Sequence, residues 1–254
     1  YINMTKETII AFSQAHAEPE WLQARRKKAF DKISELPLPS IERVKIARWK
    51  FGNQTISDSV ETANVVDFTN LGDNPKLIQV GTSTVFEQLS PDLVDNGVVF
   101  TDFYSALEVI PEVIEQYFGT ALAFDEDQLT AYHHAYFNSA AVLYIPDNVE
   151  IDVPIEGLFY QNSDEAVEFN KHVLIIAGKH SKVSYLERFE SLGEDSEKTT
   201  ANIAVEVIAL EGAQVKFSAI DRLGSNLTTF ISRRGRLNKN AQIDWNLGVM
   251  NEGN

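Results

Sequence analysis

Five histidines, His16, His133, His134, His172 and His180, are the side chains of this 254-residue sequence best suited to acid–base or metal chemistry at neutral pH. Either task needs convergent partners. His133 and His134 are adjacent, so on a helix or a strand they point in different directions and are poor joint ligands for one metal. His180 falls on a turn position of the repeat described below, where geometry accounts for it. Structural roles are expected for all five. The sequence contains no cysteine, which excludes disulfides, thiolate zinc sites, thiol nucleophiles and cysteine-held iron–sulfur clusters on these residues. A Gly-rich phosphate loop ending in Lys-Ser/Thr, a His-Glu-x-x-His pair and a Gly-x-Ser-x-Gly elbow are also missing.

Two charged runs remain. Carboxylate pairs on a β-helix can cleave polysaccharides, and residues 194–197 of SLGEDSEKTT supply acids. That run has no apolar anchors and is expected as an exposed loop, a poor place to hold carboxylates at fixed separation. Arg233-Arg234-Gly235-Arg236 could meet phosphate, but alternate strand positions would send some of these arginines to solvent. No catalytic, cofactor-binding or metal-ligating residue is assigned.

The formal charge of −15 argues against nucleic acid or anionic lipid as a partner. The charge is uneven: residues 18–50 hold nine Lys and Arg against five Asp and Glu, a local +4. Arg25, Arg26, Lys27 and Lys28 could dock a basic helix on an acidic partner or form a solvated helix face. No apolar run approaches the roughly 18 residues a membrane span needs, and the N-terminal residues lack the pattern of a secretory signal. Cytoplasm is the expected location.

The elements that must position these groups change character along the chain. Residues 5–15 and the segment beginning Glu18-Pro19-Glu20-Trp21 have helical patterns. Leu22, Ala29, Ile33 and Leu36 share one face, with the basic cluster mostly off that stripe, and Leu36-Pro37-Leu38-Pro39 stops the helix. Residues 76–80 and 97–101 suggest short strands. Residues 103–118 are helical in pattern, with Pro111 predicted to kink or split them and Gly119 to end them. We divide the chain into an N-terminal helical region (1–52), a small mixed α/β cap (53–138) and a β region (139–254).

From about residue 140 the period becomes two. Four blocks align, NVEIDV from Asn148, HSKVSY from His180, GAQVKF from Gly212 and NAQIDW from Asn240. Each opens on a residue that tolerates positive φ and then alternates apolar with polar. Their aliphatic positions, Ile151, Val183, Val215 and Ile243, are 32, 32 and 28 residues apart. Regular strand units with a turn residue at a fixed offset indicate a β-solenoid. A β-sandwich would show strands every 8 to 12 residues and more hairpin signals. Apolar pairs such as Leu143 with Ile145 and Leu174 with Ile176 precede the blocks, so each coil is expected to supply two strands around a shared interior.

The helix EPEWLQARRKKAFDKISELPLP from Glu18, the following ARWKF, and LTAYHHAYFNSAAVLYIPDNVEIDVPIEG from Leu129 together resemble the SufB/SufD family of the SUF iron–sulfur cluster assembly machinery, on its SufD side. The resemblance extends through the repeats. It implies a right-handed parallel β-helix and a non-catalytic scaffold that acts with a SufB-like paralogue and a SufC-like ATPase in cluster assembly and iron acquisition. It also implies that the cluster is handled by the complex rather than bound by this chain. Family members continue into further coils and a C-terminal helical domain that docks SufC. The resemblance therefore places no cluster or SufC contact on these positions and implies a cut stack able to self-associate through its last coil. The rivals are a β-helix carbohydrate-active enzyme and a structural repeat protein with another partner.

Overall fold

The structure, a computed structural model, describes residues 2–38, 56–58, 70–164, 167–193 and 198–249. The acidic run at 194–197 and the ARWKF segment lie outside the described residues.

Four turn residues set the pitch of the molecule. Asn148, His180, Gly212 and Asn240 all have positive φ, between 58° and 70°. The left-handed conformation lets the chain reverse direction once per coil, and Gly, Asn and His enter it at low cost. The turns stack through backbone bonds: Asn148 N–H donates to Lys179 O (2.7 Å), His180 N–H to Glu211 O (2.8 Å) and Gly212 N–H to Lys239 O (3.0 Å). After each turn the blocks pair in parallel as the sequence alignment requires, with Val183 opposite Val215 and Val215 opposite Ile243. In the first block only Glu150 bridges to Lys182.

Eleven described strands form two sheets. The first has the order β11-β9-β7-β5-β1-β2 and comprises β1 (Lys76–Val80), β2 (Ser83–Gln88), β5 (Ile155–Asn162), β7 (Lys182–Leu192), β9 (Gln214–Arg222) and β11 (Gln242–Val249). The second, β10-β8-β6-β4-β3, comprises β3 (Val99–Asp102), β4 (Ser139–Ile145), β6 (Phe169–Ala177), β8 (Thr199–Ala209) and β10 (Leu227–Leu237). From β4 onward the chain alternates between the sheets and pairs in parallel, which is the predicted solenoid. The β1–β2 hairpin was not foreseen. It extends the first sheet through parallel pairing of β1 with β5, so the sheets run through the 138/139 boundary.

Between the sheets lies a core of alternate side chains such as Val173, Ile175, Val205, Val207, Val215 and Phe217. Tyr185, Phe217 and Trp245 stack along the first sheet with ring centroids 5.4 and 4.9 Å apart, as expected for a packed ladder. The outer face of the second sheet is apolar as well, and helices cover it. The described helices are α1 (Ile2–Ala15), α2 (Glu20–Lys32), α3 (Pro91–Asp95), α4 (Phe103–Val109), α5 (Pro111–Tyr117) and α6 (Gln128–Tyr136). Of these, α2, α4, α5 and α6 form this cover, α1 packs on α2, and Leu93 of α3 packs against the core between the sheets. Pro111 splits one helical pattern into α4 and α5, and Gly119 (φ 78°) follows, both as predicted. Leu22, Phe103, Ile114 and Phe118 pack there against Leu174, Ile176 and Ile208.

Candidate functional site

Helix α6 carries polar groups into this covered face. Asp127 caps it by accepting from Thr130 N–H at 2.8 Å, while Thr130 Oγ1 accepts from Asp127 N–H at 3.1 Å. The helix then places His133 and His134 in its last turn, both buried. Sequence adjacency predicted divergence. Their rings are nearly perpendicular, yet both lie against His172 of β6, with centroid distances of 5.1 and 5.7 Å. The two rings still diverge: His133 Nε2 meets His172, and His134 Nε2 meets Leu122 O.

His172 Nε2–H donates to the Glu206 carboxylate Oε1 at 2.7 Å, and His172 Nδ1 shares a hydrogen bond with His133 Nε2 at 2.9 Å. Glu206, on β8, also accepts from the backbone N–H groups of Gly119 (2.9 Å), Ala121 (2.9 Å) and Leu122 (3.0 Å). Burial works against its charge, but the His172 hydrogen bond, both neighbouring imidazoles and the backbone donors hold its carboxyl below the usual range. His134 donates to Leu122 O at 2.8 Å, and burial pushes its pKa down to about 3, with His172 acting in the same direction. Burial likewise lowers His133 well below the usual imidazole value. The cluster joins the helical cover to the second sheet, while His134 Nδ1 has no hydrogen-bond partner among the described residues. Among the described residues no group of three or more His, Asp or Glu is arranged to hold a metal ion.

The basic helix behaves differently from its sequence pattern. Arg26 is fully buried, in register with Leu22 and Ala29, rather than off the stripe. Its guanidinium forms a two-point pair with Glu18 (2.7 and 2.8 Å), donates to Phe137 O at 2.8 Å and lies 3.8 Å over the Phe137 ring. Arg25 donates to Phe118 O at 2.6 Å. Two of the four cations therefore hold the cover together, leaving Lys27 and Lys28 for any docking role. His16 contacts Asp58 at 2.9 Å and stacks on Tyr104, and His180 makes its turn.

A second polar cluster lies between the sheets at the β10 end. Arg233 projects inward and spans to the opposite sheet, binding Asp221 at 2.7 and 2.9 Å and Glu187 at 3.1 and 3.2 Å. Burial pushes the Glu187 carboxyl up to about 7 despite Arg233, because one guanidinium faces two acids. Arg234 and Arg236 point to solvent, the alternation the sequence predicted. One ladder was overlooked although its spacing was visible. Asn138, Asn170 and Asn202 recur every 32 residues, and Asn202 Nδ2 donates to Asn170 Oδ1 (3.1 Å) while Asn170 N–H donates to Asn138 Oδ1 (3.3 Å).

This combination of stacked coils, helical cover and buried polar locks has relatives along nearly the whole chain. The family model "SUF system FeS cluster assembly, SufBD core domain" matches residues 159–254, and "SufBD protein N-terminal region" matches residues 73–156. The chain belongs to the SufBD family. It is 33% identical to the iron–sulfur cluster assembly protein SufD of Bacillus subtilis, over 99% of this chain and 60% of that protein. SufBD family proteins of Trieres chinensis and Staphylococcus saprophyticus are 26% and 25% identical over 95% and 96% of the chain, and 56% and 57% of their own lengths. The chain thus spans about 60% or less of the SufBD relatives it matches. Within the SufBD frame, the core match begins inside β5 and takes in every later coil.

Proposed function

We propose that this chain belongs to a SufD-like scaffold subunit of the SUF iron–sulfur cluster assembly complex, acting with a SufB-like paralogue and a SufC-like ATPase in cluster assembly and iron acquisition. The observation that carries this reading is the 33% identity to a SufD running through 99% of the chain, helices and coils alike. The cluster is cargo of the complex. The absence of cysteine supports a division of labour in which thiolate ligands come from the paralogue. In this assembly role the chain supplies rigid surface rather than chemistry, and the buried locks at Glu206, Arg26 and Arg233 keep that surface fixed.

The location we assign is the cytoplasm, and among the described residues no helix is long and apolar enough to cross a membrane. The formal charge of −15 favours protein partners over nucleic acid or lipid. Leu237, Trp245 and Leu247 are exposed on β10 and β11, which are edge strands among the described residues. We assign these edges to contact with further β structure, in the isolated chain a second copy.

Affinity purification of the full-length protein from its own cells tests the proposal. Recovery of an ABC-type ATPase together with a cysteine-containing β-helix paralogue is expected. Their absence under gentle conditions, or polysaccharide cleavage by the purified protein, would overturn it in favour of the carbohydrate-active alternative.

A further inference from the structure

A cleft of about 180 Å³ opens where α1, the β1–β2 hairpin and the starts of α4 and β4 meet, and Gln79, Thr84, Asp102, Tyr104, Asn138 and Ser139 line it. We propose that Ser139 is a base-activated nucleophile, with Lys171 as its general base, that reacts with small acyl groups entering this cleft. The inference goes beyond the assembly role and does not rest on it.

Ser139 opens β4 directly opposite Lys171 of β6. Lys171 is fully buried, and its Nζ meets three neutral oxygens: Ser139 Oγ at 2.5 Å, Gln79 Oε1 at 2.7 Å and Gly81 O at 3.0 Å. Two of these, the amide and backbone carbonyl oxygens, can only accept. A neutral amine has two N–H donors and one lone pair. As an ammonium Lys171 donates to all three oxygens; in the neutral form its two donors satisfy the two carbonyls and its lone pair is left for the Ser139 hydroxyl proton, the arrangement a serine–lysine pair needs.

Burial lowers the Lys171 pKa to about 7, with Asp102 pulling the other way, so the free amine is populated at neutral pH. The other charged or titratable groups at the cleft are the His16–Asp58 pair and Tyr104, the latter bonded to Glu18. Thr84 Oγ1 accepts from Gln79 Nε2 at 3.1 Å, leaving its own proton to donate to an oxyanion.

The step balances without a cofactor. Ser139 Oγ adds to the acyl carbon as its proton passes to Lys171 Nζ. The bond to the leaving alcohol then breaks, and the alcohol takes the proton from Lys171. Water, deprotonated by the same amine, adds to the acyl-serine and releases the carboxylic acid, restoring Ser139.

Treating the 254-residue chain with p-nitrophenyl acetate, and separately with a fluorophosphonate, followed by mass mapping, tests this. An adduct on Ser139 is expected, forming faster as pH rises through about 7 and levelling above it. Ser139→Ala, Lys171→Met and Lys171→Arg should each lower the rate by on the order of 100-fold. Circular dichroism and urea midpoints report whether each variant folds. If the Lys171 variants do not fold, the wild-type pH profile and the Ser139→Ala map decide. No adduct on Ser139 in folded wild type at pH 8.5, a rate indifferent to pH between 6 and 9, or an adduct persisting in folded Lys171→Met would overturn the proposal. Ser139→Ala in the full-length protein should still recover the ATPase and the paralogue, so failure of one reading is distinguishable from failure of the other.

Discussion

His172 on β6 donates to Glu206 on the neighbouring strand β8 across 2.7 Å, and both side chains are fully shielded from solvent. The same carboxylate takes three backbone N–H groups from the segment after α5. Glu206→Ala strands four donors, each worth about 1–3 kcal/mol when left unsatisfied in the interior. The variant should lose at least about 3 kcal/mol in urea denaturation, with Glu206→Gln in between. A loss below about 1 kcal/mol would mean that the carboxylate does not anchor the cover.

Protonation should weaken the same region. His134 has its pKa lowered to about 3 in the fold and about 6.5 when unfolded, so between these values the unfolded chain binds more protons. Stability is therefore lost as pH falls below 6.5, and the depressed Glu206 adds to the loss below its unfolded value. From pH 7 to pH 5 the His134 contribution is about 2 kcal/mol. His134→Gln, which keeps a donor for Leu122 O but does not titrate here, should show a shallower decline. Parallel declines for variant and wild type would remove His134 from this account.

Glu187 acts with the opposite sign. Its pKa, raised to about 7, makes the folded state hold the extra proton between roughly 4.5 and 7, so this group costs stability as pH rises through that window. Glu187→Gln removes the cost and leaves Arg233 its pair with Asp221. The stability of the variant relative to wild type should improve by roughly 2–3 kcal/mol from pH 5 to pH 8, read as a shift in urea midpoint. A pH-independent difference would refute it.

The turn ladder makes a steric prediction. Gly212 has φ 70°, and a Cβ placed there would run into the His180 ring of the coil before it. Gly212→Val should cost about 2 kcal/mol or more, because β-branched residues tolerate neither the φ nor the contact. His180→Gly should be close to neutral, since His180 is exposed and glycine adopts its positive φ freely. Thermal melts of the two variants give the comparison, and equal losses would contradict it.

For the exposed edges, light scattering provides the measurement. The isolated chain is expected to gain apparent mass with concentration, and Trp245→Lys with Leu247→Lys should suppress the gain by placing charge on the β11 edge. A strict monomer at high concentration would count against self-association.

Much of the architecture was legible because it is written in short-range terms. A residue that tolerates positive φ, followed by alternation of period two, specifies a turn and a strand without reference to the rest of the chain, so Asn148, His180, Gly212 and Asn240 could be aligned before any fold was seen. Pro111 divides a helix for an equally local reason. The asparagine ladder at 138, 170 and 202 was equally accessible, since its spacing equals the coil length.

The polar sites were not legible in this way. Nothing local to Arg26 says that it will be buried against Glu18 and Phe137 while Lys28, two residues on, stays exposed, because helix phase becomes burial only when the partner surface is in place. His133 and His172 are 39 residues apart and meet because α6 lies across the outer face of β6. Lys171 and Arg233 face the interior because each strand places alternate side chains inside, and only the stacked coils determine which oxygens they find there. The sequence by itself determined the pitch, the turns and the family. The tertiary structure decided which charges meet, because φ preference and alternation act within a few residues, whereas hydrogen bonds in a low-dielectric interior depend on surfaces brought together from distant parts of the chain.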